Sequence, residues 1–208
     1  MKNPGSMVYI VDDDISVCRA LDLLLKSHGF KVKTFPCSAD FLASRHPKVP
    51  SCLVLDIRLP DINGLALQDI MAEKQLAIPI VFITGHGDIP MSVKAIQSGA
   101  VDFLPKPFTE KKLLYAIKSA IAKNKIQNKE LAEIAKIKRR IKTLSPKELE
   151  VFQLVAKGML SKQIAYKRGT ALQTIKVHRS RVMQKMQAKT VTELIRFAQK
   201  AGITPPAR

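Results

Sequence analysis

The chain has 208 residues, 46% of them hydrophobic, enough for one large domain or two small domains with separate cores. Its formal net charge of +18 is unevenly distributed: residues 1–122 hold 14 lysine and arginine against 12 aspartate and glutamate residues, and residues 123–208 hold 21 against 5. This asymmetry indicates that the second part handles a polyanion, with nucleic acid as the leading candidate. An anionic membrane surface is the alternative. It requires a basic amphipathic helix with a strongly apolar face, and the second part has only three aromatic residues.

No apolar run approaches the ~18 residues of a membrane span, and the first residues lack the apolar core of a signal peptide. We therefore expect a cytoplasmic protein without a membrane partner. Cys18, Cys37 and Cys52 are odd in number and form no CxxC motif. They are expected to be reduced packing residues rather than part of a disulfide or a metal site.

The first 122 residues alternate between five predicted strands and five predicted helices. The predicted strands are residues 7–11, 30–35, 52–55, 79–84 and 101–104. Helical apolar spacing follows each strand, first over residues 15–28 and last from Thr109 onward. This alternation predicts an α/β domain, a doubly wound sheet of five parallel strands between two layers of helices.

Polar side chains stand at the carboxyl ends of four of these strands. Asp12 and Asp13 follow the first strand, Asp56 the third, Thr84 ends the fourth and Lys106 follows the fifth. Such ends share one edge of a parallel sheet, where ligands usually bind. Three crowded carboxylates would have raised pKa values unless a cation joined them, and their hard oxygen atoms suit Mg²⁺. The lysine adds a fixed positive charge and the threonine a neutral donor.

Three other aspartates are explained more simply as helix-capping or turn residues. They are Asp14, Asp61 and Asp88.

Four motifs carry these residues: VDDD at 11–14, LDIRLPDING at 55–64, FITGHGD at 82–88 and AVDFLPKPF at 100–108. They resemble the receiver domain of bacterial two-component response regulators over about residues 7–122. The resemblance implies a flavodoxin-like fold in which Asp56 accepts a phosphoryl group from a sensor histidine kinase.

The same resemblance assigns roles to the neighbours of Asp56. Asp12 and Asp13 would hold Mg²⁺ together with the backbone carbonyl of Arg58. Thr84 and Lys106 would bind the phosphoryl oxygens, and the Lys106–Pro107 bond would be cis.

Thr84 is also expected to act as a switch residue, together with an aromatic side chain. Phe103 falls where the family keeps that aromatic residue, although a plain core role in the fifth strand fits it equally well.

Between Pro107 and Pro146 the sequence has neither glycine nor proline and consists mainly of helix-forming residues. We expect the last receiver helix to continue through a helical linker, residues 123–142, to about residue 140. Asn124 and Asn128 interrupt its apolar stripe. They could set the register of a dimer seam or mark a helix that is only partly ordered, and we favour the second. A continuous helix would act as a lever between the domains, and a flexible linker only as a tether.

Residues 143–205 contain four helix signatures and predict a small all-α domain. Capping boxes open the first helix at Ser145 and the last at Thr190, and Ser161 is predicted to cap the second. The second and third helices, separated by a turn at Gly169, have the form of a helix-turn-helix.

The third of these helices is the predicted DNA-reading element. Its apolar Ile175, Val182 and Met183 are expected to face the core. Side chains on its other faces can bind phosphates, base edges or a thymine methyl group. The predicted DNA-binding residues are Thr174, Lys176, Val177, His178, Arg179, Ser180 and Arg181. For His178 a packing role fits equally well.

The segments LSPKELEVFQLVAKGMLSKQIA and TIKVHRSRVMQKM resemble the DNA-binding domain of LuxR-type regulators. A receiver followed by such a domain looks most similar to the FixJ subfamily of response regulators. The resemblance implies a transcriptional regulator that forms homodimers when Asp56 is phosphorylated. Its implied partners are double-stranded promoter DNA and RNA polymerase.

Two positions depart from the LuxR-type pattern. Ala171 replaces the usual capping serine, although Thr170 with Gln173 could place the cap one residue earlier. Arg168 replaces an apolar residue and must reach solvent or DNA.

Two rival functions use the same acidic residues. A Mg²⁺-dependent phosphatase or phosphotransferase would use Asp56 as nucleophile, but Arg58 stands where its general-acid carboxylate is expected. The other rival is a DNA-binding protein whose receiver is no longer phosphorylated, which the intact acidic group disfavours. We therefore expect no enzyme activity beyond phosphotransfer onto Asp56 and its hydrolysis.

Overall fold

The computed structural model describes residues 5–85 and 89–203. Contacts divide the chain into two compact units between Lys129 and Glu130. No helix in the described part of the chain is both long and apolar enough to cross a membrane. All three cysteines, which lie within the described residues, are free, and Cys18 and Cys52 are buried.

The first unit contains a five-stranded sheet in which every pairing is parallel. The strands are β1 (Met7–Val11), β2 (Lys31–Phe35), β3 (Ser51–Asp56), β4 (Ile80–Thr84) and β5 (Asp102–Pro105), in the order β2-β1-β3-β4-β5. β3 and β4 are buried along their whole length, as expected for unbroken apolar runs in the middle of a parallel sheet. The predicted doubly wound α/β fold is confirmed.

Helices cover both faces of the sheet. They are α1 (Ile15–Ser27), α2 (Ser38–Ala43), α3 (Gly64–Glu73), α4 (Ile89–Gln97) and α5 (Glu110–Ile141). Alternate strand residues supply two separate cores: Val8 and Ile10 pack beneath α1 and α5, while Tyr9 and Leu53 face α2, α3 and α4.

Two of the predicted capping aspartates are found in that role. Asp14 caps its own helix α1, accepting from the N–H groups of Ser16 at 2.8 Å and Val17 at 3.3 Å. Asp61 caps a different helix, α2, accepting from the backbone N–H of Ala39 at 3.0 Å and from the hydroxyl group of Ser38. Asp88, the predicted cap of α4, lies outside the described residues.

Helix α5 continues to Ile141, which confirms the helical prediction for this segment. Both interpretations of its asparagines are wrong. Asn124 is only 1% exposed and bonds within the first unit, to Ser51 and to the carbonyl oxygen of Ala77. Asn128 donates to Asn124 at 2.9 Å. The start of the predicted linker is therefore part of the first unit.

The last turns of α5 belong to the second unit. Ile137 is 1% exposed in the second core, and Arg140 donates to the backbone oxygen of Met186 at 3.0 Å. The residues of the predicted linker, 123–142, are thus divided between the two units. The predicted domain boundaries themselves remain a prediction.

Four further helices complete the second unit, confirming the predicted small helical domain. They are α6 (Pro146–Ala156), α7 (Ser161–Arg168), α8 (Leu172–Met186) and α9 (Val191–Lys200). Phe152, Ile164, Val182 and Leu194 are fully buried between them. Gly169, in the left-handed conformation at a φ of 57°, makes the turn between α7 and α8.

The predicted caps of the helix-turn-helix are wrong in two places. Ser161 is the first residue of α7, and Leu160 stands at the cap position, where its N–H donates to the side chain of Gln163 at 2.8 Å. Helix α8 is preceded by Ala171 at the cap position, so the cap has not moved back to Thr170. The methyl group of Ala171 cannot accept a hydrogen bond, and the start of α8 lacks a side-chain cap there.

Glu148 is both half of a capping box and a link to α8. Its carboxylate accepts from the N–H of Ser145 at 2.8 Å and pairs with the ammonium group of Lys185 at 2.6 Å. The hydrogen bond from Lys185, followed by that from Ser145, lowers the pKa of Glu148 from its ordinary 4.5 to about 2. One buried carboxylate thus fixes the start of α6 against the last turn of α8.

We predict that Ile137→Ala lowers the unfolding free energy of the second unit by about 2–4 kcal/mol, because it leaves a cavity in that core. Calorimetry of the whole protein should show the loss in one transition only. Ile126→Ala is the matched control on the same helix, since Ile126 is 63% exposed. If both substitutions lowered the unfolding free energy by the same small amount, residues 130–141 would be a separate linker and not part of the second unit.

We also predict that Glu148→Gln costs the second unit about 1–2 kcal/mol near neutral pH, because it weakens a charged hydrogen bond to a partly exposed lysine. The folded state binds the proton of Glu148 less tightly than the unfolded state does. The contribution is therefore complete above pH 4.5 and disappears as the pH falls through about 2. Urea unfolding at pH 6 and pH 2.5 should show the difference between the two proteins shrinking. A difference that is constant across this range would contradict the assigned ion pair.

Candidate functional site

The carboxyl ends of the strands bring together the predicted acidic residues and the lysine. The ammonium group of Lys106 lies 2.8 Å from an oxygen of Asp12 and 2.7 Å from an oxygen of Asp56. Asp12 is 1% exposed and Asp56 is 7% exposed, so both carboxylates are largely removed from water. Lys106 therefore supplies the positive charge that two buried carboxylates in contact require.

Asp13 completes a group of three carboxylates. One oxygen atom from each of Asp12, Asp13 and Asp56 lies within 4.8 Å of the others, so the three can share a divalent cation. Asp13 is exposed, so water could also coordinate an ion held there. Hard oxygen donors with room for water are the donor set that Mg²⁺ takes in proteins, so the residues fit this ion.

The electrostatics of the site are set by burial and by Lys106. Burial raises the pKa of Asp12 above its ordinary value, and the hydrogen bond from Lys106 opposes that rise. Burial also acts to lower the pKa of Lys106, but its bonds to Asp12 and Asp56 outweigh burial and raise it. The raised pKa keeps the lysine charged at neutral pH, and its contacts with Asp12 and Asp56 would compete with a metal ion for these carboxylates.

Two backbone contacts help to position Asp56. The N–H of Arg58 donates to one carboxylate oxygen of Asp56 at 3.0 Å, leaving the other for Lys106. A Cβ atom at Gly64 would lie 2.6 Å from the backbone oxygen of Asp56, so only glycine fits at the start of α3. The sequence analysis missed this role of Gly64, although a glycine ending the LDIRLPDING motif was a visible signal.

Thr84 and Phe103 lie on the neighbouring strands β4 and β5. Thr84 ends β4, is fully buried, and its backbone oxygen accepts from the N–H of Lys106 at 2.7 Å. Phe103 is half-buried, with its ring centroid 6.5 Å from that of Phe82 in the core. The Lys106–Pro107 bond is cis, as predicted. The roles of Thr84, Phe103 and the Arg58 carbonyl toward a phosphoryl group remain predictions.

Helix α8 presents most of its predicted DNA-binding side chains to solvent. The exposed members are Thr174, Lys176, Val177, Ser180 and Arg181. Ile175 and Val182 are buried as predicted, and Met183 is half-buried. The helix therefore keeps a polar, basic face free beside the face that packs on the core.

His178 and Arg179 differ from the rest of that face because both are half-buried. Arg179 donates to the hydroxyl group of Ser161 at 3.0 Å, joining α8 to the start of α7. Nδ1 of His178 is buried and finds no hydrogen-bond partner among the described residues. Their contacts with DNA stay predictions, whereas the packing role of Arg179 is visible.

Arg168 forms an ion pair with Glu150 of α6. It is still 43% exposed along its side chain, so it also reaches solvent, as its place in the sequence requires. The arginine thus contributes to holding α7 against α6.

Comparison with known proteins identifies both halves of the chain. A family model for the response regulator receiver domain matches residues 8–118, and one for bacterial regulatory proteins of the luxR family matches residues 142–198. Nodulation protein W of Bradyrhizobium diazoefficiens is 44% identical over 96% of this chain and 88% of its own length. Transcriptional regulatory protein FixJ of the same organism is 39% identical over 94% of this chain and 96% of its own length.

Among solved structures, response regulator StyR is similar to this chain with 42% identity and a TM-score of 0.82. The alignment covers 94% of this chain and 99% of that one. The fold, the acidic site and these matches agree over nearly the whole length. The chain belongs to the response regulators, in the branch that joins a receiver domain to a LuxR-type DNA-binding domain.

Proposed function

We propose that this response regulator binds promoter DNA in a manner controlled by phosphorylation of Asp56, and that a sensor histidine kinase donates the phosphoryl group. The observation that supports this proposal best is the pairing of a nearly buried Asp56 with Lys106 at 2.7 Å, beside two further carboxylates. A nucleophilic carboxylate at this place contacts a positive charge and lies within 4.8 Å of the metal-binding oxygens of Asp12 and Asp13. Phosphoryl transfer needs mainly such positioning and charge neutralisation.

In this proposal the two carboxylate oxygens of Asp56 have different roles. The oxygen held by the N–H of Arg58 stays fixed. The oxygen held by Lys106 forms the new bond to phosphorus, while the bond from phosphorus to the histidine nitrogen of the kinase breaks and that histidine leaves. Lys106 then moves from that carboxylate oxygen to a phosphoryl oxygen, while the Thr84 hydroxyl donates to another. A Mg²⁺ ion held by Asp12, Asp13 and Asp56, with the Arg58 carbonyl, would neutralise the remaining phosphoryl charge.

The second unit supplies the output. Exposed cationic and polar side chains on α8 would enter the major groove, with phosphate contacts from neighbouring lysines and arginines. Phosphorylation would promote homodimers, so that two such helices bind two half-sites and recruit RNA polymerase. This activity places the protein in the cytoplasm with the chromosome.

We predict that Asp56→Asn abolishes labelling by acetyl phosphate, because the amide removes the nucleophile. Wild-type protein should acquire an acid-labile label only while Mg²⁺ is present. Asp69→Asn, which changes an exposed aspartate on α3, should be labelled like the wild type. Label retained by Asp56→Asn on another residue would remove Asp56 from the proposed role.

For DNA binding, we predict that Lys176→Ala weakens the affinity of the whole protein for DNA of many sequences. Loss of one phosphate contact should reduce the slope of log affinity against log salt by about 1. Lys147→Ala removes the same charge from the exposed start of α6 and should have a smaller effect. If the two variants lose affinity equally, general charge rather than the α8 face carries the binding.

A further inference from the structure

Asn124 is an unusual side chain for its place. It lies on α5 three residues after Ile121, which packs in the core beneath the sheet, and it is 1% exposed. A buried amide is costly unless its donor and acceptor are both satisfied. Here the carbonyl oxygen accepts from the backbone N–H of Ser51 at 2.9 Å, and the amino group donates to the backbone oxygen of Ala77 at 2.7 Å.

The N–H of Ser51 and the backbone oxygen of Ala77 stand where the next hydrogen bond between the two chain segments, the next rung of the sheet, is expected. β3 and β4 pair in register Leu53↔Ile80, and the N–H of Leu53 donates to the oxygen of Pro79 at 2.9 Å. Rungs between two parallel strands recur at every second residue. The preceding rung would join the N–H of Ser51 to the oxygen of Ala77, and both groups are instead bound to Asn124.

A carboxamide carries the same donor and acceptor as a peptide group. Asn124 therefore acts as a side-chain rung inserted where β3 and β4 separate. Asn128 reinforces it, donating to Asn124 at 2.9 Å and approaching the backbone oxygen of Val49 at 3.5 Å. An apolar residue at 124 would leave Ser51 and Ala77 without these bonds, so the choice of asparagine fixes the position of α5 against both strands.

The two strands joined by this rung carry the phosphorylation site at their other ends. β3 runs from Ser51 to Asp56, and β4 ends at Thr84. A shift of β4 relative to β3 would act on the side chain of Asn124. It belongs to α5 and bonds to Ser51, the first residue of β3, and to Ala77, three residues before β4.

We propose that Asn124 is a positioning residue that couples the Asp56 site to helix α5. This inference rests on the proposed phosphorylation of Asp56. It adds the route by which the effect of phosphorylation reaches α5 within the receiver. The route runs from Asp56 and Thr84 along β3 and β4 to the inserted amide, and from there to the turns of α5 that follow.

The test compares the whole protein with its Asn124→Ala and Asn124→Asp variants. The alanine removes the hydrogen bonds to both Ser51 and Ala77. The aspartate keeps an acceptor for Ser51 but loses the donor to Ala77. DNA affinity is measured without and with acetyl phosphate and Mg²⁺, and the ratio of the two affinities is the readout. We expect unchanged labelling of Asp56 and a ratio reduced about 2- to 30-fold, the range in which residues along a coupling route act.

A purely structural role would lower the melting temperature and weaken both forms of the protein alike, leaving the ratio unchanged. Lys125→Ala, an exposed neighbour on α5, is the matched control and should keep the wild-type ratio. A wild-type ratio in folded Asn124→Ala and Asn124→Asp would overturn the proposal.

If neither Asn124 variant folds, Asn128→Ala takes their place, since it removes only the supporting bond. We then expect a smaller reduction of the ratio, and an unchanged ratio would overturn the proposal. A wild-type protein that is labelled on Asp56 but whose DNA affinity does not respond would contradict the proposed function itself. In that case phosphorylation of Asp56 would not control DNA binding, and the coupling role of Asn124 would be rejected with it.

Discussion

The contact of Lys106 with Asp12 and Asp56 is the interaction on which the first unit depends. Removing a carboxylate from water costs several kcal/mol, and two adjacent carboxylates cost more, unless a cation lies between them. That cation comes from the loop after β5, so β1, β3 and β5 must end at the same edge in the same register for the charges to balance. The parallel sheet and the site therefore require each other. A phosphoryl group on Asp56 would compete with the carboxylates for contact with Lys106. The charge balance of the site is therefore sensitive to such a modification.

The second unit uses a similar pair for a different purpose. Glu148 is also a buried carboxylate bonded to a lysine, Lys185, but its other bonds go to the backbone of its own helix start. Both bonds go to one oxygen of the Glu148 carboxylate, and they fix the start of α6 against the last turn of α8. In the first unit, exposed Asp13 keeps the acidic group open to solvent and ions. The two lysine–carboxylate contacts thus differ in access: the group in the first unit includes an exposed carboxylate, whereas Glu148 is only 3% exposed.

The sequence was sufficient for the features that depend on local periodicity. Apolar runs and alternation located all five strands, and polar residues at the strand ends located the acidic site. The unbroken run of helix-forming residues predicted α5. Features that depend on distant partners were not predictable in this way: Asn124 was interpreted as a break in a stripe, because its partners Ser51 and Ala77 are 73 and 47 residues away. The predicted cap of α7 failed for a related reason, since the hydroxyl group of Ser161 accepts from Arg179 of the next helix, 18 residues away.

The contacts along α5 also bear on whether its middle acts as a lever or a tether. A tether needs residues that are free to leave the helix, and the predicted linker offered twenty of them. Residues up to Asn128 are bonded within the first unit, while Glu133 and Ile137 are bonded or buried within the second. Only residues 129–132, all exposed, lie between these attachments, about one helical turn. Unfolding that turn would break its helical hydrogen bonds. The residues before it would stay bonded to the first unit, and those after it would stay bonded to the second. The sequence between Lys129 and Ala132, which contains neither glycine nor proline, gives the chain no local reason to do so.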